Sequence, residues 1–276
     1  MTSACHPSNS TPDANRIDAG AQRAFDAAIF DMDGVVTRTA SVHSLAWKRM
    51  FDEFLRARSA RLGEPFVEFT HERDYLGYVD GRPRHEGVEA FLKSRGIGLP
   101  FGSTADPSDR ETICGLGNRK NAHFSQLIET EGVGLYESTI ELIGGLRCRG
   151  VRIGLATSSR NAAAVLQRAG IADLFAVVVD GVVSEQHGLK GKPAPDIFVA
   201  AARGLGVTCA RAIVVEDAVS GVQAAARGGF GLVIGIAREN NSAELRASGA
   251  DLVVRDLAAT SLEEISRLVR ARRAGV

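Results

Sequence analysis

Residues Ala27–Val36 read AAIFDMDGVV, an apolar run that ends in two aspartates one residue apart, Asp31 and Asp33. An unbroken apolar run of this length suits a short strand buried on both faces. Two negative charges at its end are costly unless something positive sits near them.

The remainder of the chain decides the architecture. In its second half, β-branched runs recur: VRIGLATS from Val151, FAVVVDG from Phe175, AIVVED from Ala212, FGLVIGI from Phe230 and ADLVVRD from Ala250. Between them lie helical segments such as RNAAAVLQRAG, KPAPDIFVAAARGLG, AVSGVQAAARGG and NSAELRASG, several closed by glycine. Strands alternating with helices predict an α/β protein with a Rossmann-like parallel sheet covered by helices on both faces. After the first strand the alternation stops for about a hundred residues. SVHSLAWKRMFDEFLRAR, HEGVEAFLKSRG and GNRKNAHFSQLIETEG there carry apolar residues at helical steps, separated by Gly- and Pro-rich breaks. The expected organisation is a discontinuous core, residues 25–40 and 137–276, with an α-helical cap domain inserted at 41–136. Residues 1–24, whose first twenty are rich in Ser, Thr, Asn and Pro, read as a disordered extension.

Composition excludes several function classes. The 276 residues carry 33 Lys plus Arg against 33 Asp plus Glu, so no global field draws in nucleic acid or an anionic membrane. The basic C-terminal RLVRARRAGV reads as a solvated last helical turn. Four cysteines, at 5, 114, 148 and 209, show no CxxC spacing; they point away from zinc or a disulfide framework and toward a reducing cytoplasm. No apolar run reaches membrane-spanning length, and the N-terminal residues lack the order of a signal peptide.

Polar residues gather where strands end: Asp31 and Asp33 after the first, Thr157, Ser158 and Ser159 after the second, Glu216 and Asp217 after a later one, with Lys192 opening GKPAPD. In open parallel sheets the ligand crevice lies at the carboxyl ends of the strands. Alone, each element has a plainer reading: a turn, a helix N-cap, a surface pair or a loop. Together they are chemically complementary. The four carboxylates need a cation, for which Mg²⁺ is suited. Thr157 and Lys192 supply a hydroxyl and a fixed positive charge for phosphoryl oxygens. A carboxylate can then attack phosphorus, and the acid two residues on can move the proton.

FDMDGVV, LATSS, GKPAPDIF and VVEDAVSGVQAA resemble the four motifs of the haloacid dehalogenase-like phosphohydrolase superfamily over roughly residues 25 to 257. The resemblance implies Asp31 as nucleophile, Asp33 as general acid/base, and Thr157 and Lys192 as phosphate ligands. It implies Mg²⁺ held by Glu216 and Asp217 beside Asp31 and the Asp33 carbonyl. Dehalogenases of that superfamily lack the second aspartate, so Asp33 argues against dehalogenation.

The segment after Asp33 resembles the β-phosphoglucomutase-like branch more narrowly. That resemblance implies that His43 couples cap closure to Asp33 and that Trp47, four residues on and on the same helix face, lines a sugar pocket. By the same resemblance Gly81 and Arg84 belong to a cap loop gripping a second phosphate, with Arg82 as another candidate guanidinium, and Lys120 is a cap lysine serving the same phosphate. Ser158, Ser159 and Asn161 are candidates for substrate or phosphate oxygens, or for capping the next helix. The chain departs from the branch in its N-terminal segment, its longer cap, Ser158 where alanine is frequent, and Arg160 where lysine is frequent. The expectation is a monomeric cytoplasmic enzyme, dependent on Mg²⁺, acting on a small phosphorylated sugar without nucleic acid or membrane. Its leading form is a hexose-phosphate mutase passing through a bisphosphate. The alternatives are a phosphatase for small sugar phosphates and, in another class, a non-enzymatic phospho-acceptor module.

Overall fold

The run Ala27–Phe30 forms strand β1, with all its residues buried. In this computed structural model, which describes residues 23–275, β1 lies at the centre of a six-stranded sheet. β2 (Arg152–Ala156) and β3 (Val177–Val179) extend it on one side; β4 (Ala212–Glu216), β5 (Leu232–Ile236) and β6 (Leu252–Val254) extend it on the other. Every pairing is parallel, in the order β3-β2-β1-β4-β5-β6. The opening apolar run and the five β-branched runs seen in the sequence account for all six strands. The disorder expected for the first residues concerns a segment outside the described range, apart from Arg23 and Ala24.

Successive strand residues face opposite ways, so each strand feeds two cores. Ala28, Phe30, Ile153, Leu155 and Val215 pack on one face with α4 (Glu137–Cys148), α5 (Ala162–Arg168) and the C-terminal α10 (Leu262–Arg273). Ala27, Ile29, Val214 and Val233 pack on the other with α7 (Asp196–Gly204), α8 (Val219–Arg227) and α9 (Ser242–Ala247). A short helix α6 (Gly181–Gln186), which carries no strong apolar period, opens on the Asp180 carboxylate, which accepts from the Val182 and Val183 amides.

The helical cap comprises α1 (Ala40–Leu62), α2 (Arg84–Ser94) and α3 (Ile113–Glu131). It has its own apolar centre, in which Trp47, Met50, Phe51, Phe54, Phe69, Phe91 and Leu116 are buried. Phe51 is the hub: its ring lies 4.1 Å from Phe91, 5.0 Å from Phe69 and 5.4 Å from Trp47. Between α1 and α2 the chain makes a π-helical segment, His71–Val79, that the periodicity did not reveal. The break GIGLPFGSTADPS is an ordered loop. Asp106 holds it by accepting from Thr112 Oγ1 (2.7 Å), Arg110 Nη1 (2.8 Å) and the Ser103 amide (3.1 Å).

The chain enters and leaves the cap through two paired linkers. The Arg38 amide donates to Gly134 O (2.8 Å) and the Tyr136 amide to Val36 O (3.1 Å). Arg38 and Arg238 both lie over the Tyr136 ring, 5.1 and 3.6 Å from its centre, a favourable cation–π arrangement. Among the described residues no helix is long and apolar enough to cross a membrane.

Phe51→Ala removes the hub of the cap centre. It is expected to cost about 3–5 kcal/mol, read as a lowered midpoint in urea denaturation; a loss under about 1 kcal/mol would mean that the cap centre repacks around the cavity.

Candidate active site

The residues singled out from the sequence line one chamber between the carboxyl edge of the sheet and the cap, with about 640 Å³ of unfilled space including its mouth. The core supplies Asp31, Asp33, Thr157, Ser158, Ser159, Asn161, Lys192, Glu216 and Asp217; the cap supplies His43, Trp47, Gly81, Arg84 and Lys120.

Lys192 is the centre of the floor. Only 1 % exposed, its Nζ donates to Asp31 Oδ1 and to Glu216 Oε1, each at 2.5 Å. Burial works against its charge, but Asp31 and Glu216 outweigh it and hold its pKa above the ordinary lysine value. Burial pushes the Asp31 carboxyl up, Lys192 pulls it down, and Glu216 and Asp33 add to the rise. Glu216 uses both oxygens, since Oε2 also accepts from the Ala218 amide (2.6 Å). Each oxygen keeps a further lone pair, so Glu216 can face a cation while holding both contacts.

Asp217 is pressed against the chain at Gly34, whose φ of 83° is left-handed and where a β-carbon would overlap the Asp217 carboxylate. Burial, then Glu216, Asp80 and Asp31, raise its carboxyl well above the usual range. Two side chains without a signal in the sequence fix this corner: Arg238 Nε donates to Gly34 O (3.0 Å), and Asn241 Nδ2 donates to Asp217 O (3.2 Å). The carboxylates do not converge into a ready-made cage of three acidic, His or Cys groups among the described residues. The donor set nevertheless fits Mg²⁺, which takes one or two carboxylates and completes its shell with water and phosphate oxygens. The excess of buried negative charge is what such an ion would relieve.

Asp33 faces the cap. Its Oδ1 accepts from Thr39 Oγ1, and His43 Nε2 lies 3.3 Å away, too poorly aimed for a full hydrogen bond. Burial raises the Asp33 pKa, but His43, Thr39 and Lys120 prevail and hold it below the ordinary value, leaving it ionised. Lys120 Nζ and His43 Nδ1 lie 2.6 Å apart; with Lys120 as the ammonium, which can only donate, the imidazole proton is on Nε2, toward Asp33. Lys120 is 3 % exposed rather than solvated, over the Trp47 and Phe124 rings at 5.1 and 4.8 Å. Burial, reinforced by Arg84, brings its pKa down to about 7. Trp47 does two jobs, lining the chamber while stacking in the cap centre.

Arg84 is largely buried, and its Nη2 donates to an amide oxygen, Asn121 Oδ1 (2.7 Å), rather than to a carboxylate. Burial and neighbouring Arg160 bring its pKa down to about 10. Asn121 Oδ1 also accepts from Asn161 Nδ2 (2.8 Å), so one amide ties the cap arginine to the core loop after β2. In that loop Thr157, 1 % exposed, accepts from the Ser159 amide (3.1 Å), and Ser158 Oγ reaches across to Gly81 O (2.9 Å). Helix capping, the rival job for Asn161, is not taken up by its side chain, which turns to the cap instead. Asp80, Tyr75 and Asn121 also belong to this region. Asp80 and Asn121 adjoin Gly81 and Lys120 in the cap sequence; Tyr75, in the π-helical segment, carries no sequence signal.

A family model described as haloacid dehalogenase-like hydrolase matches residues 25–229. The chain is similar to β-phosphoglucomutase of Mycobacterium bovis, 45% identical over 235 residues that cover 84% of this chain and 90% of that protein. It is similar to β-phosphoglucomutase of Bacillus subtilis at 33% over 241 residues, covering 86% of this chain and 92% of that one. The crystal structure of β-phosphoglucomutase from Clostridium difficile shares the fold, with a TM-score of 0.70 at 24% identity over 91% of this chain and 99% of that one.

Lys120 gives this site a pH signature. Below pH 7 it is protonated in both folded and unfolded chains, and the folded state bears the full cost of burying the charge. Between pH 7 and the ordinary lysine value the unfolded chain binds the extra proton, so stability rises with pH. Lys120→Met is therefore expected to stabilise the fold most at pH 6, with the gain shrinking by about 2 kcal/mol by pH 9. Denaturation midpoints at the two pH values check this; a gain independent of pH would show that Lys120 is not a buried cation.

Proposed function

This chain belongs to the haloacid dehalogenase-like hydrolase family, and from that premise we propose that it is a β-phosphoglucomutase, interconverting β-glucose 1-phosphate and glucose 6-phosphate. The observation that carries the mutase reading is Arg84: a largely buried cap guanidinium, lining the chamber without a carboxylate partner among the described residues, is built for a second anion. A bisphosphate intermediate needs such a group, while simple hydrolysis of one phosphate does not.

The core residues suit a two-step exchange. Asp31, carrying a phosphoryl group, donates it to the 6-hydroxyl of β-glucose 1-phosphate while Asp33 takes the hydroxyl proton. The resulting 1,6-bisphosphate turns over in the chamber. Asp31 attacks phosphorus at the 1-position, the bond to the anomeric oxygen breaks, and Asp33 returns the proton to that oxygen. Glucose 6-phosphate leaves and Asp31 is again phosphorylated. Lys192 and the Thr157 hydroxyl hold the equatorial oxygens of the group in transit. When bound, Mg²⁺ held by Asp31, the Asp33 carbonyl and Asp217, with Glu216 beside them, would neutralise phosphoryl charge.

The ionised state of Asp33 suits its role as the base of the first transfer, and the Lys120–His43 contact gives the cap a means of setting it. In the same reading the functional domains are core 25–40 and 137–276 and cap 41–136. The enzyme acts as a cytoplasmic monomer on a small sugar phosphate, in keeping with the free Cys114, Cys148 and Cys209.

With Mg²⁺, β-glucose 1-phosphate and a trace of bisphosphate, the expected product is glucose 6-phosphate. Inorganic phosphate as the dominant product would replace the mutase with a sugar-phosphate phosphatase. Asp31→Asn is expected to abolish turnover, and measurable multiple turnover by that variant would remove Asp31 as nucleophile. Arg84→Ala is expected to lower kcat/KM for the mutase by about 100-fold and hydrolysis of a simple aryl phosphate far less. Equal losses would make Arg84 structural.

A further inference from the structure

Asp80 lines the same chamber, yet the phosphoryl chemistry leaves it without a role. It opens the cap loop Asp80–Arg84, directly after the π-helical segment. Gly81, with φ of 69°, wedges this loop between two core loops. Ser158 Oγ donates to Gly81 O (2.9 Å) and Ser220 Oγ to Asp80 O (3.3 Å). A β-carbon at Gly81 would overlap the Ser220 hydroxyl and crowd Ala218. The wedge places Asp80 in the chamber lining with Glu216, Lys192 and Tyr75, whose hydroxyl is hydrogen-bonded to one Asp80 carboxyl oxygen and leaves further lone pairs of the group for other donors.

The other acids there have tasks. Asp31 and Glu216 share Lys192, Asp33 takes Thr39, and Asp217 belongs to the metal set. Among the described residues no lysine or arginine is ion-paired with Asp80. A carboxylate only accepts hydrogen bonds, so its complement is a donor. It repels the phosphates at either end of a bisphosphate and matches the hydroxyl-bearing carbon skeleton between them.

We propose that Asp80 is a specificity-determining residue that accepts hydrogen bonds from hydroxyls of the substrate's sugar ring. One cap loop then reads both features of the substrate: Asp80 takes the hydroxyls, and Arg84, four residues on, takes the distal phosphate. Because Asp80 travels with the cap, the hydroxyl contact forms only when the loop seats on Ser158 and Ser220. A phosphoryl donor without a sugar draws nothing from it. The assignment rests on the reading of the protein as a sugar-phosphate enzyme and names the part of the sugar that the cap recognises.

The test compares full-length wild type with Asp80→Asn and Asp80→Ala on two phosphoryl donors: the hexose phosphate, and acetyl phosphate, which carries no hydroxyl. Both variants are expected to lose about 100-fold or more in kcat/KM on the hexose phosphate and far less in phosphorylation of Asp31 by acetyl phosphate. Among monodeoxy analogues of glucose 6-phosphate, at least one is expected to be much poorer than the parent sugar for wild type and no poorer than it for Asp80→Ala. Equal losses on both donors would overturn the proposal in favour of a structural role. So would deoxy penalties that persist in the variant. A Mg²⁺ half-saturation raised in proportion to the activity loss would overturn it in favour of a part in holding the metal. If wild type hydrolyses hexose phosphates without isomerising them, the mutase reading falls while the donor ratio still judges Asp80. If wild type turns over acetyl phosphate and no sugar phosphate, both fall.

Discussion

A buried ammonium held between two carboxylates organises the catalytic floor. Lys192 comes from the loop before α7, Asp31 from the end of β1 and Glu216 from the end of β4, three segments far apart in sequence. Burying any of these charges alone would cost several kcal/mol, and the two carboxyl groups are what keep the Lys192 ammonium charged there. The same contacts set their geometry. β1 and β4 are adjacent and in register, with Phe30 opposite Val215, so the next residue of each strand, Asp31 and Glu216, emerge side by side. Thr157 emerges likewise from β2 on the other flank of β1. The parallel sheet is thus the device that converts three sequence-distant strand ends into one anion-handling surface.

One carboxylate of this floor, Asp33, is held by groups at the cap's base and within it. Thr39 stands just before α1, His43 on its first turn and Lys120 on α3, and the three bear on Asp33 directly or in series. Because Lys120 donates to His43 Nδ1, moving α3 changes what Asp33 feels without touching the phosphoryl site. In the proposed reading, the proton-handling group Asp33 therefore depends on cap position, while the nucleophile Asp31 depends on the sheet. Such a division lets chemistry wait for closure without disturbing the floor.

Much of this was legible in the sequence because it is written in strong, local signals. β1 and β5 are apolar throughout and β4 is apolar up to its terminal Glu216; Asp31, Thr157 and Glu216 stand at strand ends where the crevice must be, and Lys192 opens the GKPAPD loop before α7. The π-helical segment His71–Val79 was not legible: its side chains follow no 3.6-residue period, and it is held by packing against α2. The helix α6 was hidden for a related reason, being short and started by a cap rather than by an apolar stripe. Lys120 and Trp47 show a different limit. Spacing put Trp47 on a helix face with His43 and the family resemblance marked Lys120, but only tertiary packing could say that the lysine is buried against His43 and that the tryptophan serves both the cap centre and the chamber. Asn121, Arg238 and Asn241 act through hydrogen bonds to residues distant in sequence, and no local pattern marks such partners.

The paired linkers give the cap an unusual kind of independence. The chain departs after Val36 and returns at Tyr136, and these two residues are hydrogen-bonded neighbours. Nothing about the length or content of the segment between them alters the register of β1 against β2 and β4. A domain tethered at one point in this way is a module in the architectural sense: it can lengthen, shorten or be exchanged while the sheet beneath stays as it is. The ordered loop around Asp106 fits that pattern, an enlargement accommodated wholly within the insert. Substrate choice and reaction chemistry are thereby free to vary separately, because the covalent path that joins them passes through one narrow gate.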